Sequence, residues 1–99
     1  MADKNVTVLA RIKAKEGMEE RLMQESMSLI APTRSELGCI SYNLHQADDD
    51  RAIFIFYENW VSKKDLEKHL EMPYMKTWFE KTNELATGAP EITMLEMIA

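Results

Sequence analysis

Most of the chemistry that this 99-residue chain could perform rests on His69 and on an Asn59-Trp60 pair that precedes it. His69 stands between Leu66 and Leu70 in a stretch of helical period, which puts it on the inner face of that helix. An imidazole in apolar surroundings has a lowered pKa and can take a proton near neutral pH. The plainer alternative is a buried neutral histidine bonded to backbone. Asn59 and Trp60 close a strand-like run, and a helix that folds back after it brings them to the same end of the sheet as His69. The Asn59 amide can donate to a developing oxyanion, while Trp60, Tyr74 and Trp78 offer flat apolar walls. Phe56 joins them as a substrate-binding candidate. Together these residues suggest a pocket for a flat, mostly apolar ligand; the opposing reading makes the aromatics core and Asn59 a turn former.

The other reactive types carry less. His45 lies near the end of a strand on its more polar face and reads as exposed or turn-capping. Cys39 is the single cysteine, so it can form no intrachain disulfide and no cysteine metal cluster, and it reads as a small buried hydrophobe. Asp48-Asp49-Asp50 reads as a turn, because a divalent-ion site would need further oxygen ligands from elsewhere. No metal is expected. The sequence has no G-x-S-x-G, P-loop, dinucleotide fingerprint or H-E-x-x-H.

Charge narrows the partners. Twelve basic and seventeen acidic residues give a net charge of −5, and the basic residues are scattered, so nucleic acid is not expected. Met1-Ala2-Asp3-Lys4-Asn5 runs straight into a strand-like pattern without the basic and apolar regions of a signal peptide, and no apolar run is long enough for a membrane span. A cytoplasmic protein without membrane contact is the expectation.

The positioning elements follow from periodicity. Asn5 to Lys15 alternates, with Val6, Val8, Ala10 and Ile12 opposed to Thr7, Leu9, Arg11 and Lys13. Met18, Leu22, Met23, Met27, Ile30 and Leu37 form a helical stripe, which Pro32 should kink and Gly38 should end. Cys39 to Gln46 alternates again. In Arg51 to Trp60, Ala52, Phe54, Phe56 and Trp60 share one face and Ile53, Ile55 and Tyr57 the other, which predicts a strand covered on both sides. Ser62 begins a helix with Asp65 three residues on, Met72-Pro73 interrupts it, and Met75, Trp78, Phe79, Thr82 and Leu85 continue as a second piece. A last strand spans Ile92 to Ile98.

The order β-α-β-β-α-β over residues 1–99 predicts one α+β domain of ferredoxin-like type, an antiparallel sheet with both helices on one face. Two helices cover one face only. The other carries its own apolar row, so the sheets of two identical chains should stack as a homodimer.

The run from Thr33 to His45, followed by Phe56-Tyr57-Glu58-Asn59-Trp60-Val61-Ser62 and Leu66-Glu67-Lys68-His69-Leu70, resembles the antibiotic biosynthesis monooxygenase family in its small quinol-monooxygenase-like members. The resemblance extends from Val6 to about Ile98. It implies a dimeric α+β barrel with a pocket between sheet and helices in each protomer. It also implies oxidation of a quinol or polycyclic phenol by molecular oxygen with no cofactor. The protein would deprotonate the substrate, orient it and stabilise its anion. On matching positions His69 would be the general base or proton relay, Asn59 the oxyanion donor, and Trp60 and Tyr74 pocket walls. Arg34 and Glu36 match a family motif and read as a structural ion pair or cap. Haem-degrading relatives carry an Asn near the end of the first strand where this chain has Ala10-Arg11-Ile12, so haem degradation is not implied.

Two other functions fit the same residues. An isomerase acting on a small phosphorylated carbonyl compound would need Arg11, Arg34 or Arg51 as an anion anchor. A non-catalytic dimer would bind an aromatic ligand without turnover.

Overall fold

Alternating apolar residues in three segments pair into the centre of the sheet. The computed structural model describes residues 4–99, so the expectation for Met1-Ala2-Asp3 lies outside the described residues. The elements are β1 (Val6–Lys13), α1 (Glu19–Met27), α2 (Ile30–Arg34), β2 (Cys39–Gln46), β3 (Ile53–Trp60), α3 (Lys63–Leu70), α4 (Pro73–Leu85) and β4 (Glu91–Leu95). All pairings are antiparallel and the strand order is β2-β3-β1-β4, the ferredoxin-like arrangement. None of these helices is long and apolar enough to cross a membrane.

Each expected helix is split in two. The first break falls at Ser28-Leu29, ahead of Pro32 and not at it. Pro32 has no N–H to offer the Ser28 carbonyl and crowds it, so the chain closes α1 first and takes the proline into the opening turn of α2. Ser28 Oγ donates to the Glu25 carbonyl at this break. The second break falls at Met72-Pro73 as expected, with Met72 extended (ψ 140°) and Pro73 opening α4. Ser62 caps α3 by accepting from the Asp65 N–H at 3.2 Å.

Gly38 is required where β2 begins. A Cβ built there would lie 2.1 Å from Asp65 Cγ in the first turn of α3, so only glycine lets the two elements approach this closely.

Register separates the two faces of the sheet. Val8 and Tyr42 flank Glu58, while Ala10 and Leu44 flank Phe56, all facing the helices. Val8, Ala10, Ile12, Phe54, Phe56 and Trp60 are buried there. Thr7, Leu9, Arg11, Ile55, Tyr57 and Asn59 face the other way. Leu9 and Ile55 are half-buried within the single chain and Tyr57 is exposed, so this second face is open. The helices also leave β4 uncovered: Ile92 and Met94 point to the helix side yet are 55% and 50% exposed.

Candidate active site

A cavity of about 180 Å³ lies on the helix-covered face. Val8 and Ala10 of β1 and Phe56 and Glu58 of β3 form its floor. His69 and Leu70 of α3 and Met75 and Trp78 of α4 form its roof, and Ile92 and Met94 of β4 stand on its exposed side. Among the described residues, no lysine or arginine lines it. A larger, shallower groove of about 410 Å³ runs between α1–α2 and the edge strand β2, and its methionine and Arg34 lining holds no buried titratable group.

His69 is 1% exposed because helical spacing puts it with Leu66 on the inner face of α3. Its Nδ1 lies 2.8 Å from Glu36 Oε2. A carboxylate oxygen only accepts, so Nδ1 carries the proton and donates, and Nε2 is left with the lone pair that can receive one. Tyr74 donates its hydroxyl to the same Glu36 oxygen. Aromatic rings hold the imidazole in place, Trp60 at 4.6 Å and Tyr42 edge-on at 5.4 Å between centroids. Burial pushes the His69 pKa below its ordinary value, and the Glu36 carboxylate partly opposes that shift. Burial and the bond to Glu36 raise the Tyr74 hydroxyl, which therefore stays protonated as a donor.

Glu58 also lines the cavity and is 5% exposed. Its Oε1 accepts from Trp60 Nε1 at 3.0 Å. Burial lifts its pKa to about 7 against the Trp60 bond, with a smaller push from Glu36. Two groups thus meet one apolar space from opposite sides, an imidazole lowered and a carboxyl raised toward neutrality. Such pairs mark acid–base sites.

Among the residues singled out from sequence, Phe56, His69 and Trp78 line the cavity. Trp78 also donates Nε1 to the buried Ser26 at 3.1 Å. Trp60 is fully buried behind the His69 ring, and Tyr74 acts through Glu36. Asn59 does not join them. Strand alternation turns Glu58 and Trp60 inward and Asn59 outward, where its Oδ1 accepts from Thr7 Oγ1 at 2.6 Å and its Nδ2 donates to Ser41 Oγ at 3.0 Å. The expected meeting of Asn59 with His69 in one pocket is therefore corrected: the two occupy opposite sides of the sheet.

Of the structural ion pair or cap expected for Arg34 and Glu36, the ion pair does not form among the described residues. Arg34, at the end of α2, donates to the Tyr42 carbonyl at 3.0 Å and to Asn43 Oδ1 at 2.9 Å, which straps α2 to β2. Glu36 turns inward instead. Arg11 pairs with Glu91 and Arg51 with Asp48, both away from the cavity. Among the described residues, no cluster of three or more His, Cys, Asp or Glu converges on a metal-sized space. Asp50 of the acidic triplet caps its turn by accepting from the Ala52 N–H and pairs with Lys13.

Sequence comparison is consistent with this architecture. The sequence model of the antibiotic biosynthesis monooxygenase family matches residues 5–81. The uncharacterized protein sll1783 of Synechocystis is 32% identical over 96 residues, which are 97% of this chain and 65% of that protein, so the chain spans just under two thirds of this relative's length. Rv0793 of Mycobacterium tuberculosis, provisionally named a monooxygenase, is 30% identical over 91% of this chain and 88% of its own. The crystal structure of PA3566 from Pseudomonas aeruginosa superposes with a TM-score of 0.93 at 30% identity, covering 100% of this chain and 99% of that one.

Proposed function

The chain belongs to the antibiotic biosynthesis monooxygenase family, and from that premise we propose that it is a cofactor-independent monooxygenase acting on a quinol or phenol in the helix-side cavity. One observation carries the reading: His69 stands in the wall of a largely apolar cavity with Glu36 on its Nδ1. That arrangement suits a neutral base whose Nε2 removes a hydroxyl proton from the ring. The resulting phenolate is electron-rich enough to reduce oxygen. With a phenol, one oxygen atom replaces a ring hydrogen and becomes a quinone carbonyl, and the other leaves as water with the ring hydrogen and the hydroxyl hydrogen. With a quinol, both hydroxyls become carbonyls, the inserted oxygen stays as a ring hydroxyl, and water takes the other oxygen with two of the three hydrogens released.

The cavity is smaller than the roughly 300–1,000 Å³ of common ligand sites. It suits one or two fused rings, with any further ring resting against Ile92 and Met94. Phe56 and Trp78 are the aromatic walls for such a ligand. The absence of arginine and lysine from the lining disfavours the phosphorylated-carbonyl isomerase, because a phosphate would meet Glu58 without a cation. The open sheet face supports a homodimer formed by stacking it on a second copy, and a cytoplasmic enzyme fits the whole.

The test is oxygen consumption with reduced menadione, corrected for the spontaneous rate. Wild type should exceed that rate and His69→Ala should not. Equal uptake by the two proteins would remove His69 from the mechanism. Tight binding of the quinol with no uptake above background in either protein would favour a ligand-binding dimer.

A further inference from the structure

Glu58 interrupts an inward-facing row of large apolar residues. Phe56 precedes it and Trp60 follows it on the same side of β3, and its direct strand neighbours are Val8 on β1 and the buried Tyr42 on β2, with Met94 of β4 beyond Val8. A lone buried carboxyl in such a row is costly unless something hydrogen-bonds it. Trp60 Nε1 occupies one oxygen, and among the described residues no other hydrogen bond reaches the group, although a carboxylate can accept about four. Its remaining acceptor capacity faces the cavity that it lines.

We propose that Glu58 is the specificity residue of this cavity: its carboxylate accepts a hydrogen bond from a ring hydroxyl, so the site selects uncharged hydroxylated aromatics over the same rings bearing a carboxylate or phosphate. The inference rests on the reading of the cavity as the substrate site and adds a second polar contact to it, opposite His69. The bond would be charge-assisted once Glu58 is ionised. With its pKa at about 7, ionisation falls within the range where the protein can be studied.

The titratable groups packed around Glu58 shift in directions that lead away from neutrality. Tyr42, its neighbour on β2, is raised above the ordinary tyrosine range by burial and by Glu58, and Cys39 at the start of β2 is raised by burial. His69 from α3 is shifted the other way, below its ordinary 6.5. Glu36 acts only from a distance, and the α4 groups at the cavity, Met75 and Trp78, do not titrate.

The experiment is calorimetric titration of the intact protein with 2-naphthol, naphthalene and 2-naphthoate on both sides of neutrality. Above neutral pH, wild type should prefer naphthol to naphthalene by about tenfold or more, the range of one charge-assisted hydrogen bond, and should reject naphthoate. The preference should weaken as pH falls through about 7. In Glu58→Gln the amide oxygen still accepts from Trp60, so the ring stays seated. Naphthol should lose its advantage there, naphthalene should be unchanged, naphthoate should gain, and the pH dependence should vanish. Equal wild-type affinity for naphthol and naphthalene, naphthoate binding as tight as naphthol, or binding of none of the three would each overturn the proposal. The wild-type series decides this even if the variant does not fold. A naphthol preference that survives in a protein with no oxygen uptake would sink the monooxygenase reading and leave the role of Glu58 standing.

Discussion

Glu36 and His69 are 33 residues apart in sequence, yet Oε2 and Nδ1 lie 2.8 Å apart, joining the turn after α2 to the inner face of α3. Tyr74 of α4 bonds the same oxygen, so one carboxylate ties three parts of the chain together. Removing it strands two donors. Glu36→Ala should therefore lower stability by about 1–3 kcal/mol, the cost of leaving the buried His69 donor unpaired, with less from the half-buried Tyr74. Glu36→Gln keeps an acceptor and should lose less. Urea denaturation of both variants measures the difference, and an alanine variant as stable as wild type would show that the tie carries no weight.

On the proposed mechanism the same contact should set the pH profile of turnover. His69 must be neutral to act as base, and burial holds its pKa below the ordinary 6.5. Turnover (kcat) should hold through neutrality and fall on an acid limb below that value, while kcat/KM should also weaken as pH falls through about 7, where Glu58 takes up a proton. Glu36 opposes the lowering, so Glu36→Gln should move the limb to still lower pH and reduce the plateau, because a less basic imidazole accepts the proton less readily. A limb that stays in place would show that the titrating group is not His69. A kcat limb near 7 that disappears in Glu58→Gln would identify Glu58 as the base instead.

Glu58 also leaves a mark on folding. Its carboxyl is raised from an ordinary 4.5 to about 7, so between those values the folded chain holds a proton that the unfolded chain releases. The contribution is fully present below 4.5 and is lost as pH rises through about 7. The shift corresponds to about 3 kcal/mol at roughly 1.4 kcal/mol per unit. Relative to wild type, Glu58→Gln should gain that much stability between mildly acidic and mildly alkaline conditions. The shift on His69 is present in both proteins and largely cancels in the difference. A stability difference that does not change with pH would contradict the raised pKa.

Much of this was legible in the chain. Period-two alternation in β1 and β3, the capping of α3 by Ser62 and the break at Pro73 define the fold, and the Leu66–His69–Leu70 spacing puts the imidazole inward. The side of Asn59 was legible too. Once Phe54, Phe56 and Trp60 share the helix face, parity puts Glu58 there and Asn59 on the other, so the apolar members of the row already mark the one carboxyl among them. Glu36 has no such signal. It sits in a non-periodic turn, and only the folded path of α3 and α4 shows which partners reach it. The break before Pro32 is likewise a compromise between a lost donor and continued packing that periodicity alone does not resolve.

The open sheet face yields the last prediction. Ile55 sits near the middle of β3 on that face, with Arg11 beside it on β1 and His45 on β2. Two sheets stacked face to face lie about 10 Å apart, which leaves room for interdigitated apolar side chains but not for unpaired charge. In Ile55→Lys an ammonium would be buried across the proposed two-fold interface, next to Arg11, and the acid in register in that row, Glu91, is already paired with Arg11. Burying an unpaired cation costs several kcal/mol per copy, so the dimer should dissociate while the helix-side core, which Ile55 does not touch, remains folded. Sedimentation velocity should show wild type at twice the chain mass and the variant at the chain mass, with unchanged far-ultraviolet circular dichroism. A variant that still sediments as a dimer would place the interface elsewhere and leave the apolar row of β3 without a partner.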